Sequence, residues 1–326
     1  MRSFNPKEIS QPEFHRLMLG GIGPRPIALV STISEDGKNN LSPFSFFNAF
    51  GSNPPVVAFS PARRGRDASL KDTYNNLVKT GQCVVQAVTY SIVNQVSIAS
   101  TEYDKDVDEF IKSGLTPVDS VIVSPKRVKE SPFQMECRLL EMKSIGSGGG
   151  SANIAICEIL LIHTAEDIFK DGLIQPELID LVGRMSGNYY CRANAPNIFE
   201  VIQPGKRNCI GYDQIPDHIK QSHIFSANDL GKFAFSESVP DENQVMEFIE
   251  SIKSKKITEF ETGFEAFCRY EERKDFEKML KAALLLIEEN YPFKKILLEK
   301  TAKSALEKND TDFAFKTAVY SGRFGN

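Results

Sequence analysis

Between residues 27 and 164, strand-length apolar runs follow one another across hairpin-length turns, and this spacing restricts the fold more than any other feature of the chain. Residues 27–33 read as a strand, Asp36-Gly37 as a hairpin turn, and the segment from Asn39 as the return strand. Asn53-Pro54-Pro55 marks a second turn, and 56–60 a buried strand closed by Pro61. Further strands are expected at 83–88, briefly at 121–123, and over two long runs at 133–144 and 152–164. The run Gly146-Ser147-Gly148-Gly149-Gly150-Ser151 joins the long pair. It lacks the G-x-x-x-x-G-K-[ST] pattern and no helix follows, so it reads as a flexible hairpin tip and not as a phosphate loop. Helices are few: 12–19, 74–78 closed by Gly81, 91–100, and a short one within 104–114 closed by Gly114. Alternating βα units are missing, which argues for an antiparallel barrel and against a doubly wound nucleotide fold.

The pattern changes near Pro204-Gly205-Lys206-Arg207, and from Asp241 it is helical and highly charged. In DFEKMLKAALLLIEE, Phe276, Met279, Leu280, Ala283, Leu284 and Ile287 fall on one stripe, and Pro292 opens another helix through 296–298. The expectation is a mainly β fold with α: a β-barrel domain at 1–206 and a helical extension at 207–326. A length of 326 residues accommodates both. Six scattered cysteines without a C-x-x-C pair exclude a disulfide framework and argue against a zinc knuckle, leaving reduced thiols and no metal. A net charge of -4 argues against nucleic acid. The first ten residues lack an apolar signal core, and no window reaches the roughly 18 to 20 apolar residues of a membrane span, so a cytoplasmic protein is expected.

Chemistry concentrates in Asn39-Asn40-Leu41-Ser42-Pro43-Phe44-Ser45-Phe46-Phe47-Asn48-Ala49-Phe50. Strict alternation puts Leu41 and Pro43 on one face and Ser42, Phe44 and Phe46 on the other, with Pro43 ending, bulging or edging the strand. The stretch supports two readings. One is a buried strand running into an aromatic cluster. The other is a surface for a flat ring with an anionic tail. Two more pieces favour an anion: Ser60 with Arg63, Arg64 and Arg66, and Lys71-Asp72-Thr73 at a helix start. Alone, each reads as a solvated basic loop or a helix cap. His163 ends an apolar strand, where a structural role competes with a functional one. Tyr189 and Tyr190 are core aromatics or site residues.

The segment RPIALVSTISEDGKNNLSPFSFFNAFGSNPPVVAFSP, with LKDTYNNL, PKRVKESPFQMEC, ICEILLIHTAEDIF and VGRMSGNYY after it, resembles the flavin reductase-like family over about residues 10 to 200. The resemblance implies a Greek-key FMN-binding split barrel of the flavoredoxin type, dimerising around FMN and in many members reduced by NAD(P)H. It implies that Asn40, Ser42, Phe44, Ser45 and Phe46 line FMN, and that Ser60, Arg66, Lys71 and Thr73 surround its phosphate. His163 and Tyr189 match positions that approach the flavin, and Lys105 is a further candidate. Some relatives carry tryptophan where Phe46 stands, which leaves the stacking on the ring open. No G-x-S-x-G or H-E-x-x-H motif is present, consistent with hydride transfer in which the cofactor carries the chemistry. The expected function is an FMN-dependent oxidoreductase serving a small-molecule or flavin-dependent redox partner. The alternatives are an FMN electron carrier or partner module, and a barrel that binds another anion.

Overall fold

The computed structural model describes residues 1–104, 107–201, 203, 205 and 208–325. It divides into two compact units, Met1–Glu200 and Val201–Asn326. Residues 206 and 207, where the sequence places the boundary, lie outside the described residues, as does Lys105.

The first unit is built on seven strands: β1 (Ala28–Ile33), β2 (Asn39–Phe44), β3 (Phe47–Ser52), β4 (Pro55–Phe59), β5 (Gln82–Gln86), β6 (Phe133–Ile145) and β7 (Ala152–Thr164). They pair antiparallel in the order β2-β1-β5-β6-β7-β4-β3. β2 and β3 are separated by only Ser45 and Phe46, yet they stand at opposite ends of that order. A two-residue link cannot span an open seven-stranded sheet whose strands are roughly 4.8 Å apart. The sheet therefore curls into a barrel, split where β2 gives way to β3. The expected single return strand is thus two strands.

Alternation along β1 explains why it is buried on both faces. Ala28 and Val30 join Phe44, Phe59, Leu77 and Cys137 inside the barrel. Ile27 and Leu29 pack outward with Leu41, Val96 and Phe110, under helices α3 (Val93–Ile98) and α4 (Glu109–Ser113). The opposite placement of Leu41 and Phe44 follows the alternation read from sequence. Helix α1 (Gln11–Gly21) precedes the barrel, and α2 (Asp72–Thr80) plugs Leu77 into it. Gly81 and Gly114 close α2 and α4 at φ 70° and 67°, a conformation glycine adopts without strain.

Residues 121–123 form bends and not the expected strand. Their amides donate to the Glu136 carboxylate instead of to a neighbouring strand. Among the described residues no disulfide forms, and Cys83, Cys137 and Cys157 lie fully inside the barrel. There hydrogen bonding with Cys137 and Cys157, and then burial, push the Cys83 thiol well up.

The second unit is helical, with Ala227–Ala234, Glu242–Ser254, Phe264–Arg273, Phe276–Glu288, Lys294–Glu307 and Thr311–Ser321 around one apolar core. Met279, Leu280, Ala283 and Leu284 of the predicted stripe are buried, with Ala282 and Leu286 beside them. This central helix is covered on more of its circumference than one stripe.

Candidate functional site

β4 ends at Phe59, and the chain leaves the barrel through 60–71 before re-entering as α2. The Ser60 N–H donates to the Phe46 carbonyl at 2.9 Å, which ties this loop to the β2–β3 junction. Ser60 Oγ, Arg63 Nε and Arg64 Nε are buried and have no hydrogen-bond partner among the described residues. Buried polar groups are nearly always satisfied in folded proteins, and each left unpaired costs roughly 1–3 kcal/mol. Other nitrogens of both arginines are engaged. Arg63 Nη1 donates to Ala68 O at 2.9 Å, and Arg64 Nη1 to Leu70 O at 2.6 Å. Arg64 also pairs with Asp72 at 3.7 Å and Glu102 at 3.4 Å; at Nε the latter approach is too misaligned for a hydrogen bond.

Lys71 precedes α2, half-buried, with its ammonium 5.5 Å from the centre of the Phe44 ring. It makes no hydrogen bond or ion pair among the described residues. Burial holds its pKa below the ordinary lysine value, the Arg64 charge adds to this, and Glu102 opposes it. A cation in that position is relieved by an anion. The glycine-rich tip between β6 and β7 walls the loop. The Arg63 N–H donates to Ser151 O at 3.0 Å, and the Gly150 N–H to Arg63 O at 3.2 Å. A Cβ at Gly149 would lie 2.4 Å from the Gly65 carbonyl oxygen, so this approach requires glycine.

The other predicted residues separate into groups. Asn40 Nδ2 donates to Thr32 Oγ1 and to Thr73 Oγ1, each at 3.0 Å, and Asn76 adds a bond to Thr32 at 3.1 Å. Asn40 and Thr73 are therefore brought together in a buried clamp between β1, β2 and α2. Phe44 is a core residue, tilted against Phe59 at 5.5 Å. Ser42 is half-buried opposite Val30. Phe46 is exposed, with His15 edge-on to it at 6.4 Å. Arg66 points outward and is held by Asp67 and Glu102 at 3.2 and 3.3 Å. His163 Nε2 lies 2.7 Å from Glu136 Oε1, a pairing the sequence did not suggest. Tyr189 is 77% exposed, in the turn between the short strands β8 (Val182–Arg184) and β9 (Tyr190–Arg192).

Sequence reasoning missed Arg25. It is buried, donates to the carbonyls of Leu19, Ile22 and Met185, and reaches Ser45 Oγ with Nε at 3.4 Å. A lone arginine between two prolines ahead of an apolar strand was the available signal. Arg25 also borders an apolar groove of about 630 Å³, formed with Phe47, Asn48, Ile162, Leu181 and Val182 among others. Phe47, Asn48 and Ala49 of the 39–50 stretch line that groove, whereas Asn40, Ser42, Phe44, Ser45 and Phe46 do not.

An antiparallel barrel split between β2 and β3, with buried unsatisfied donors in the loop tied to that junction and an apolar groove bordered by Arg25, has the architecture of a flavin-related split barrel. The chain belongs to the flavin reductase-like family, whose domain model matches residues 21–182. An uncharacterised protein of Aquifex aeolicus is 37% identical over 188 residues, 57% of this chain and 93% of the relative. Among solved structures, nitrilotriacetate monooxygenase component B from Bacillus cereus is 29% identical with a TM-score of 0.58, covering 62% of this chain and 98% of its own. The 2-nitrobenzoate 2-nitroreductase of Pseudomonas fluorescens shares the fold at 23% identity and a TM-score of 0.56, over 64% of this chain and 100% of its own. Membership of this family supports flavin-related, oxidoreductase-type chemistry.

Proposed function

We propose that the barrel unit binds FMN and works as an NAD(P)H-dependent reductase that passes electrons to a separate acceptor. The observation that carries this reading is the set of buried groups Ser60 Oγ, Arg63 Nε and Arg64 Nε, which make no hydrogen bond among the described residues, beside the desolvated Lys71 ammonium. A phosphomonoester, with a charge of about -1.5 to -2 and three acceptor oxygens, fits that donor set. FMN, when bound there, would supply the hydride and electron-transfer chemistry that no side chain of the barrel provides.

In this reading Ser60 and Lys71 hold the phosphate with Arg63 and Arg64, and Arg66 contributes charge from the rim. Ser42, Ser45 and Phe46 flank the ring. Asn40 and Thr73 hold β2 against α2 so that Lys71 keeps its place over Phe44. Arg25 orients Ser45 and stiffens the wall of the apolar groove, which excludes water where a nicotinamide must come within roughly 3–3.5 Å of its acceptor. Burial of Phe50, Ile162, Leu173 and Tyr189, all exposed in one copy, favours a homodimer. The name of the Bacillus cereus relative, one component of a monooxygenase, supports a flavin-dependent partner as acceptor. Cysteines that form no disulfide among the described residues fit a reducing, cytoplasmic setting, and no described helix is long and apolar enough to cross a membrane.

The purified protein is expected to carry or take up FMN, to sediment as a dimer, and to bleach anaerobically on addition of NADH or NADPH. Bleaching only in the presence of a dedicated reductase would replace the reductase with the electron carrier. Failure to bind FMN at all would leave the anion-binding barrel without redox chemistry.

A further inference from the structure

Helix α3 and the β8–β9 hairpin border another cavity of the barrel unit, of about 480 Å³. Its lining includes Tyr90, Ser97, Arg184, Tyr190 and Arg192, and it shares no residue with the loop 60–71 assigned to the FMN phosphate. Val182 and Cys191 line both this cavity and the apolar groove bordered by Arg25, so the two adjoin at the hairpin. They differ in charge. Two arginines line this cavity and, among the described residues, no acidic side chain does.

The two arginines are not equivalent. Arg192 is neutralised: its Nε and Nη2 donate to the Asp180 carboxylate at 2.7 and 2.9 Å, and its guanidinium lies 3.9 Å from the centre of the Tyr90 ring. Arg184 is half-buried, lies 4.5 Å from the centre of the Tyr190 ring, and donates from Nη2 to Gly187 O at 2.6 Å. It makes no ion pair among the described residues. Its backbone pairs with that of Arg25, whose own side chain meets three carbonyls and Ser45 but no described carboxylate. Burial holds the Arg25 guanidinium below its ordinary value, and the Arg184 charge adds to this. Two neighbouring cations without a carboxylate are relieved by an anion, and Arg184 is the one that lines the cavity.

We infer that this cavity takes the adenosine end of the reducing dinucleotide and selects NADPH over NADH through the 2′-phosphate; the inference rests on the reductase reading above. The 2′-phosphate meets Arg184, whose planar guanidinium suits a phosphate. The adenine lies against the layered tyrosine and arginine faces, which accept a flat purine by stacking. NADH would instead bring a ribose diol, which is best answered by a carboxylate acceptor. Asp180 has that chemistry, but both of its oxygens are held by Arg192 and it does not line the cavity. The nicotinamide end is left to the adjoining apolar groove.

The test is calorimetric titration of the full-length protein, saturated with FMN, with 2′,5′-ADP, 3′,5′-ADP and 5′-AMP. The first is expected to bind saturably, and about tenfold or more tighter than either of the others. Arg184→Gln should lower its affinity by about tenfold or more. Ser97→Glu sets a carboxylate on the cavity wall from an exposed position of α3, so it should erase the preference over 5′-AMP, and it decides the matter if Arg184→Gln fails to fold. The inference is overturned by no saturable binding of 2′,5′-ADP up to about 10 mM, by equal or tighter binding of 3′,5′-ADP or 5′-AMP, or by the wild-type preference in every variant that folds. Binding needs no hydride transfer, so a protein bleached by neither NADH nor NADPH would lose the reductase reading while the titration still decides this cavity.

Discussion

Lys71→Met is expected to weaken FMN binding by about ten- to a hundredfold while leaving the apoprotein as stable as before, or slightly more stable. A hydrogen bond to a charged group contributes roughly 1.5–3 kcal/mol, and each 1.4 kcal/mol is tenfold in affinity. In the apoprotein the Lys71 ammonium is half-buried, has no anionic hydrogen-bond partner among the described residues, and is repelled by Arg64. Methionine keeps the aliphatic stem against Phe44 and removes that charge. The sign of the pH effect follows. A lysine whose folded pKa lies below its unfolded value of 10.5 leaves the unfolded chain with more bound protons as the pH approaches 10.5. Stability of the apoprotein therefore rises with pH through that window, and the rise should vanish in the variant and shrink when FMN is bound. Fluorescence titration with FMN, with thermal melts of the apoprotein at rising pH, measures both effects. Unchanged FMN affinity in Lys71→Met would remove the phosphate from this loop.

What could be read in the sequence was local. Gly81 and Gly114 announce helix ends because αL closure is a property of the glycine itself. Asp36-Gly37 announces a hairpin because Gly37 supplies the positive φ of 83°. Alternation placed Leu41 and Phe44 on opposite faces because the pleat has a period of two. What depended on distant parts of the chain was hidden. The break at Ser45 and Phe46 is a consequence of barrel closure, which no window of residues contains. The resemblance implies ligand-side roles for Asn40 and Thr73; the structure shows them bonded to each other across 33 positions of sequence. Which side of β2 faces α2 is a tertiary fact. Arg25 escaped for the same reason, since its acceptors include a carbonyl 160 residues away. Residues 121–123 have the composition of a strand, yet their amides are claimed by a carboxylate on β6.

That carboxylate carries the second large effect. Glu136→Leu is expected to destabilise the barrel by roughly 3–5 kcal/mol, the range for removing one partner of a buried charged network. Glu136 is fully buried and accepts four hydrogen bonds. Oε1 takes the Val121 N–H and His163 Nε2, both at 2.7 Å, and Oε2 takes the Ile122 and Val123 N–H groups at 2.6 and 3.0 Å. Leucine would strand three backbone donors and the imidazole together. His163→Ala removes only one of the four donors and should cost markedly less, so comparison of the two variants measures how far His163 is a structural residue. Burial alone would raise the Glu136 carboxyl, but the bonds from Val121, His163, Ile122 and Val123 outweigh it and hold the group below the ordinary value of 4.5. A depressed carboxylate contributes stability that is complete above its unfolded pKa and is lost as pH falls toward its folded pKa. Wild-type melting temperature should therefore drop as pH is lowered below about 4.5, and the Glu136→Gln profile should be flatter there. A parallel acid limb in the variant would mean that other carboxylates set the acid sensitivity of the barrel. A loss under about 1 kcal/mol in Glu136→Leu would mean that the 121–123 bend finds other acceptors and is not fastened by β6.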